Sequence, residues 1–424
     1  MSAELLDDLE WRGLIAQSTD REALLKELSS GSTAFYIGFD PTAPSLHLGN
    51  LVVLLVMRRF QLAGHKPLPL VGGATGLVGD PSGKNEERSL NSVEVVEQWV
   101  SRIRNQLSKF LDFDNGANAA VMTNNLDWTR PLSALDFLRN IGKHFSVNQM
   151  LSKDSVSARL EGGGISYTEF SYQVLQALDF LELYRRFDCK LQLGGSDQWG
   201  NIVAGLDLIR KVEGGSAHCL TIPLLMKSDG TKFGKTAGGS VWLDPEMTSP
   251  YAFYQFWLNS EDSDIPKYFK VFSFKSHEEI ENLILAHTAN PGLREAHRSL
   301  AREMTILVHG ENECDAAEKA GKALFGQGEL SDLDERTFAS ALSQLPRITI
   351  PAEEPFPTWI DLLAATDVVD SKSAARRIVR EGGAYLNNVK VGSEDFAPTS
   401  KDLLFGRFLL LRKGKRDLAA VEVL

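Results

Sequence analysis

The sequence predicts an α/β protein: a doubly wound parallel sheet first, then a helical domain, then a small α+β domain at the C-terminus. Three observations carry this. Strand-like stretches alternate with helical ones from Ala34 to beyond Lys190, a pattern that requires crossover connections and so a parallel, Rossmann-like sheet. After about Pro245 strand signals fade, and helical periodicity carries residues 250–343. A proline-dense stretch from Pro346 to Pro357 then precedes a last segment with helices and strands of its own.

In chain order, residues 1–30 read as two short acidic helices, the second capped by Thr19 or Asp20. Ala34–Phe39 reads as a strand and Asp40-Pro-Thr-Ala-Pro-Ser45 as the loop that ends it. A helix follows from about Leu48 to Gln61, then a strand, Lys66 to Val71, that runs into a glycine-rich loop. Lys190–Leu193 is a further strand with a helix beyond it. The domain expectation is therefore 1–245 for the sheet domain, 246–345 for the helical domain, 346–357 for a stiff linker and 358–424 for the small domain.

Composition narrows the class. At 424 residues the chain exceeds one ordinary core, and 43% apolar with 24% charged residues is the balance of a folded soluble protein. The longest apolar run, Leu51–Met57, is too short to span a bilayer. The acidic N-terminus (Glu4, Asp7, Asp8, Glu10) lacks the layout of a signal peptide, so a cytoplasmic protein is expected. Three cysteines, Cys189, Cys219 and Cys314, have no metal-ligand spacing and read as reduced thiols; no protein-held metal is expected. A net charge of −11 argues against nucleic-acid binding by the chain as a whole, so any RNA contact must come from a local basic patch.

Five segments carry chemistry. His47-Leu-Gly49-Asn50 opens a helix, where free N–H groups and partial positive charge receive phosphate; Thr42 and His47 can donate to it, and Gly49 permits close approach. A loop histidine acting only as a helix cap is the alternative. Gly72 to Lys84 is glycine-rich but misses the P-loop spacing, with Asn85 where a Ser or Thr is needed; Asp80 within it suits an ammonium group, or simply starts a turn. Tyr172, Gln176 and Asp179 recur at i, i+4 and i+7 on one helix face among apolar neighbours, which is costly unless a polar ligand, or solvent, meets them. Gly194-Gly195-Ser196-Asp197-Gln198 follows a strand, and Asp197 can take a ribose there or act as a helix-start residue. Lys232 and Lys235, bounded by glycines, suit a loop that closes on polyphosphate, or a solvated basic loop. No Ser-His-Asp order or Cys-His pair is present, so a covalent enzyme nucleophile is not expected.

Taken together and in this order, the segments resemble the class I aminoacyl-tRNA synthetases, and among them the bacterial tyrosine enzymes. His47-Leu-Gly-Asn50 resembles the first family signature, departing at Asn50 from an expected histidine; Lys232-Phe-Gly-Lys-Thr236 resembles the second. The resemblance implies L-tyrosine, ATP with Mg2+, and tRNA(Tyr) as partners, and a homodimer joined around Phe137 to Leu151. It implies that Tyr36 and Asp179 receive the phenol hydroxyl. Asp80, Tyr172 and Gln176 would hold the ammonium, with Gln198 near the carboxylate. Gly38, Asp40, Gly49, Asn50, Gly195, Asp197, Leu224 and Leu225 would frame the nucleotide. Thr42, His47, Lys84, Arg88, Lys232, Lys235 and Thr236 would gather round the phosphates. The tryptophan enzymes share both signatures but are not expected to carry the phenol-reading pair or the C-terminal module.

The C-terminal segment resembles a small RNA-binding module. Its helix is expected to start at a Ser373 cap and end at Gly382-Gly383, with Arg376, Arg377 and Arg380 on one side for phosphate contacts and Arg412 and Lys413 in a second basic cluster.

Overall fold

The computed structural model describes residues 2–80, 91–153, 156–157, 160, 164–236 and 239–424. The chain forms two compact units, Met1–Asp244 with Glu261–Asn282, and Pro245–Ser260 with Leu283–Leu424.

The first unit is built on six strands: β1 (Gln17–Ser18), β2 (Ala34–Phe39), β3 (Lys66–Val71), β4 (Thr123–Asn124), β5 (Cys189–Gly195) and β6 (His218–Ile222), in the order β1-β6-β5-β2-β3-β4. All neighbours are parallel except β1, which runs antiparallel to β6. Helices cover both faces, so the strands are apolar almost throughout, and Phe35, Tyr36 and Ile37 are fully buried. From β2 the chain adds β3 and β4 on one side, then returns to place β5 and β6 on the other. Connections leaving the adjacent strands β2 and β5 therefore diverge and open a crevice at their C-terminal ends.

Three helices frame that crevice. Leu48–Leu62 starts at His47 and buries Leu51, Leu54, Leu55 and Phe60. Tyr167–Phe187 starts at Ser166, whose side chain accepts from the Glu169 N–H, and stops where Asp188 turns left-handed (φ 51). Trp199–Glu213 packs against it, around Phe180, Leu181, Ile202 and Leu208. At the N-terminus the cap of Arg21–Ser29 is Asp20, which accepts from the Glu22 and Ala23 N–H groups. A small hairpin, β7 (Lys235–Thr236) and β8 (Gly239–Ser240), follows β6. Cys189, Cys219 and Cys314 are free and buried, and burial pushes all three thiols up, as befits packing residues.

In the second unit, helices Pro250–Leu258, Glu295–His309 and Glu311–Leu324 pack on one another. A five-stranded sheet follows, in the order β11-β10-β12-β13-β9, from β9 (Arg347–Ile350), β10 (Ala384–Leu386), β11 (Val389–Lys390), β12 (Phe408–Lys413) and β13 (Asp417–Val423). Helices Trp359–Ala364 and Lys372–Arg380 share its core with Leu409, Leu411 and Val421. Arg347–Ile350 lies in the proline-marked stretch, yet it is a strand paired parallel to β13, not a free connector. The helix Lys372–Arg380 is capped by Ser371, whose Oγ accepts from the Ala374 N–H at 3.2 Å. Ser373 falls inside the first turn, too late to cap it. Among the described residues no helix is long and apolar enough to cross a membrane.

Candidate active site

A cavity of about 370 Å3 opens at the C-terminal ends of β2 and β5. Tyr36 lines it from β2, and Tyr172, Gln176 and Asp179 line it together from one face of Tyr167–Phe187, as their spacing requires. Asp179 is buried, accepting from Trp128 Nε1 at 2.8 Å and from Asn125 Nδ2 at 3.0 Å. Burial raises its carboxyl to about 7; the two hydrogen bonds oppose that rise and the charge of Asp40 adds to it. The Tyr36 hydroxyl is buried with no partner, and its ionisation is pushed well above the usual range by burial and by Asp179. Gln176 Oε1 and Gln192 Oε1 are likewise buried without partners on the same cavity. Buried polar atoms left this way are costly unless a ligand supplies the missing bonds.

Further along the wall, carboxylates accumulate. Asp40 accepts from the Tyr172 hydroxyl and from Thr75 Oγ1, both at 2.6 Å, so it fixes the Tyr172 ring in place. Asp80 accepts from Gln198 Nε2 at 2.7 Å, and Asn201 Nδ2 donates to Gln198 Oε1 at 3.2 Å. Asp197 is raised by burial and by Asp80, and lowered by Lys232. Asp40, Asp80, Asp179 and Asp197 on one cavity favour a ligand with a cationic group.

A second cavity, about 340 Å3, continues from the first: His47, Gly49, Val53, Gly195, Asp197 and Leu224 line both. Its far wall is the lysine loop, with Lys232, Lys235 and Leu225. The two signature segments touch. Leu48 N–H donates to Val241 O at 3.0 Å, and Val241 N–H donates to Gly234 O at 2.9 Å. At Gly234 (φ +77) a Cβ would stand 2.9 Å from Leu48 Cβ, so only glycine lets the loop lie against the helix start. His47 and Asn50 form a capping box: Asn50 N–H donates to His47 Nδ1 at 3.3 Å, and His47 N–H donates to Asn50 Oδ1 at 3.0 Å. Burial lowers the His47 pKa, and the Lys235 charge lowers it further. With Nδ1 accepting, the neutral ring carries its proton on Nε2 and offers a donor there. The histidine is thus a helix cap and a cavity donor at once.

Other expected residues fall as follows. Thr42, Gly38 and Asn50 line the first cavity. Thr236 lines neither, its hydroxyl donating to Gly239 O at 3.3 Å within the hairpin. Lys84 and Arg88 lie outside the described residues. Arg376, Arg377 and Arg380 are exposed on one helix, Arg380 paired with Glu394 at 2.5 Å. Arg412 instead stacks on Tyr385 at 3.9 Å, and Lys413 is held by Asp417 at 3.0 Å and Val368 O at 3.3 Å, so both have packing tasks. Asn125, Trp128, Thr75 and Gln192 were not marked by sequence pattern. Asn125 follows a two-residue strand and Trp128 sits in a four-residue helix, elements too short for a pattern to signal either.

Comparison with known proteins agrees with this geometry. The family of class I tRNA synthetases (W and Y) matches residues 28–326, and the tyrosine–tRNA ligase SYY-like C-terminal domain matches residues 337–421. The chain is 60% identical over 422 residues to a tyrosine–tRNA ligase of Streptomyces avermitilis, covering 99% of each, and 55% identical over 428 residues to that of Thermobifida fusca, again 99% of each. A C-terminally truncated mitochondrial tyrosyl-tRNA synthetase of Aspergillus nidulans superposes with a TM-score of 0.69 at 30% identity, over 76% of this chain and 94% of that one. A tryptophanyl-tRNA synthetase of Encephalitozoon cuniculi, with a TM-score of 0.54 at 14% identity over 74% of this chain and 90% of that one, shares the fold alone. With whole-length relatives of one kind and a matching C-terminal module, the chain belongs to the tyrosine–tRNA ligase family of the class I aminoacyl-tRNA synthetases.

Proposed function

We propose that the chain joins L-tyrosine to the 3′-terminal adenosine of tRNA(Tyr), using ATP to form tyrosyl-adenylate and pyrophosphate first. The observation that carries this reading is the unpartnered Tyr36 hydroxyl sharing a buried cavity with Asp179. A phenol hydroxyl completes both groups, accepting from Tyr36 and donating to Asp179. Asp80, Tyr172 and the open Gln176 Oε1 receive the ammonium, and Gln198 stands by the carboxylate. Asp197 and the Gly195 backbone hold the ribose, with Leu224 and Leu225 against the adenine.

Chemistry then needs alignment and charge stabilisation more than a nucleophile from the enzyme. The tyrosine carboxylate attacks the α-phosphorus, an oxygen–phosphorus bond forms, and the bond to pyrophosphate breaks. His47 Nε2–H, Thr42, Lys232 and Lys235 meet the charge that builds on the leaving phosphates; Lys84 and Arg88 join them by family resemblance. Thr236, expected with them, would first have to release Gly239 O. Among the described residues the phosphate end offers one carboxylate, Asp197, beside His47, Lys232 and Lys235, short of the all-oxygen set that a protein-held Mg2+ takes, so Mg2+ would arrive bound to the ATP phosphates and would supply further neutralisation there. In the second step the tRNA hydroxyl attacks the adenylate carbonyl and AMP leaves. Asn50 keeps its Nδ2 for the ribose side, since Oδ1 is occupied by the His47 N–H.

Labelled pyrophosphate is expected to exchange into ATP only when tyrosine is added. Exchange driven by tryptophan, or without any amino acid, defeats the assignment.

The RNA-facing part of the reading rests on the exposed arginines of Lys372–Arg380. Reversing two of them, Arg376→Glu with Arg377→Glu, is expected to leave pyrophosphate exchange unchanged and to weaken tRNA charging by roughly tenfold, with a shallower salt dependence. Undiminished charging removes RNA binding from that helix. A homodimer is part of the proposal as well: Leu135, Leu138, Val147 and Leu151 are 79%, 52%, 58% and 37% exposed, an apolar face suited to a second copy. Its tRNA substrate and its free, buried thiols fit work in the cytoplasm.

A further inference from the structure

The helix Ile265–Phe272 lies within the sheet-bearing unit, although periodicity assigns it to the helical domain. Its C-terminal end is tied to the last turn of the helix that His47 opens, and its N-terminal end to the stem of the lysine loop. At its C-terminal end, carbonyls of the last turn have no partners within the helix. Two buried arginines take them. Arg59, from the last turn of the His47 helix, donates to Ser273 O at 2.7 Å and Val271 O at 3.5 Å. Arg12 donates to Lys270 O and Ser273 O, both at 2.9 Å, and to Lys275 O at 3.1 Å. Cations at a helix C-terminus also oppose its negative dipole end.

At the other end stands Asp264, only 4% exposed, in the N-cap position. An aspartate there ordinarily accepts from its own helix. This one makes no cap bond. Its Oδ1 accepts from Ser228 N–H at 2.9 Å, at the stem of the lysine loop, and its Oδ2 accepts from the Tyr268 hydroxyl at 3.2 Å. One turn on, Lys267 Nζ donates to Met226 O at 2.9 Å. Phe233, between the two signature lysines and 6% exposed, packs on Tyr268 and Phe272 with ring centroids 4.9 and 5.1 Å apart. Carboxylate, lysine and aromatic slot all serve the loop.

We infer that Ile265–Phe272 is a strut that holds the lysine loop at a fixed distance from the helix that His47 opens, with Asp264 and Lys267 as positioning residues for adenylate formation. This rests on the tyrosine-activation reading. Neither residue lines the substrate cavities, so their loss acts on how well the lysines meet the phosphates and leaves the tyrosine pocket intact.

The test compares Asp264→Ala, Asp264→Asn and Lys267→Ala in full-length protein, by pyrophosphate exchange and by amide hydrogen exchange. Asp264→Ala is expected to lower kcat roughly tenfold or more with KM for tyrosine unchanged, and to speed hydrogen exchange over residues 226–235. Asp264→Asn keeps an oxygen for the Ser228 N–H and restores most of kcat. A folded Asp264→Ala protein with unaltered kcat and unaltered loop exchange overturns the strut, as does a parallel loss in kcat and tyrosine affinity. Should Asp264→Ala fail to fold, the exposed Lys267→Ala carries the test: a fall of a few fold in kcat at constant tyrosine KM is expected, and full activity overturns the inference. Absence of tyrosine-dependent exchange in the unmodified protein defeats the functional reading instead, while loop hydrogen exchange still judges the strut.

Discussion

Asp179→Asn is expected to lower kcat/KM for tyrosine by roughly a hundredfold or more while barely changing the weak use of phenylalanine. The carboxylate has two donors fixed on it, Trp128 Nε1 and Asn125 Nδ2, one on each oxygen. An asparagine of the same shape must turn its NH2 toward one of them, so a donor faces a donor in a buried site, and the acceptor for the phenol proton is weakened or turned away. Hydrogen bonds to charged groups contribute about 1.5–3 kcal/mol, and a buried group left unpaired costs a similar amount, which supports the hundredfold figure. Phenylalanine never used the bond, so discrimination falls with the tyrosine rate. Discrimination of about 10^5 without editing is this family's own standard figure, not one obtained from this geometry. Tyr36→Phe removes a neutral partner and is expected to have a smaller effect, up to about tenfold. Because burial raises the Asp179 carboxyl to about 7, kcat/KM for tyrosine should rise with pH through that value as the carboxylate forms, and the asparagine variant should lack that limb. The linkage to stability has the opposite sense: with the folded value above the ordinary carboxylate value of about 4, the free protein loses stability as pH rises from about 4 to about 7. Pyrophosphate exchange with each amino acid between pH 6 and 8 reads the discrimination and the pH limb, and denaturant unfolding between about pH 4 and 7 reads the stability. Unchanged discrimination in Asp179→Asn removes the phenol from this pocket.

What the sequence revealed of this site depended on periodicity. Tyr172, Gln176 and Asp179 stood out because a polar stripe at helical spacing among Leu and Phe side chains must meet either a polar ligand or solvent, and the fold buries it on a cavity. Asn125 and Trp128, which aim Asp179, sit 54 and 51 residues away at the end of a two-residue strand and in a four-residue helix, too short for any pattern. Of the sheet's strands β2, β3 and β5 were equally plain, since burial on both faces demands unbroken apolar runs, whereas β1, β4 and β6 were not read as strands. The assignment of Ile265–Phe272 was not, because helical periodicity states that a face is buried but not against what. Arg12 and Arg59, which tie that helix to the sheet domain, look like surface residues until their carbonyl partners are known. The basic C-terminal cluster divides the same way: Arg376 and Arg377 are exposed, Arg377 with Glu381 4.0 Å away, whereas Arg412 is spent on an aromatic ring.

Lys235→Ala should slow adenylate formation by roughly 10^2- to 10^3-fold while changing tyrosine Kd by less than about twofold, the loss typical of removing one preorganised charge donor from a transition state. Position explains the asymmetry. Lys235 lines the cavity that holds Lys232 and His47, while Tyr36 and Asp179 line the other, and His47, Gly49, Val53, Gly195, Asp197 and Leu224 belong to both. Pyrophosphate gathers charge only as the α-phosphorus bond breaks, so a cation on the loop contributes more in the transition state than in the ground state, and kcat falls rather than binding. Its charge also helps hold His47 neutral, with a donor on Nε2. Removing it therefore lets the imidazole gain a proton more readily, which partly offsets the lost cation in acid, so the deficit of the variant should be smaller at acidic than at neutral pH. Rapid-mixing measurement of adenylate formation beside equilibrium tyrosine binding separates the cases. Equal losses in rate and in tyrosine affinity would show that the loop shapes the amino-acid pocket instead of clamping the departing phosphates, and a rate within about threefold of the unmodified protein would mean that Lys232 alone meets them.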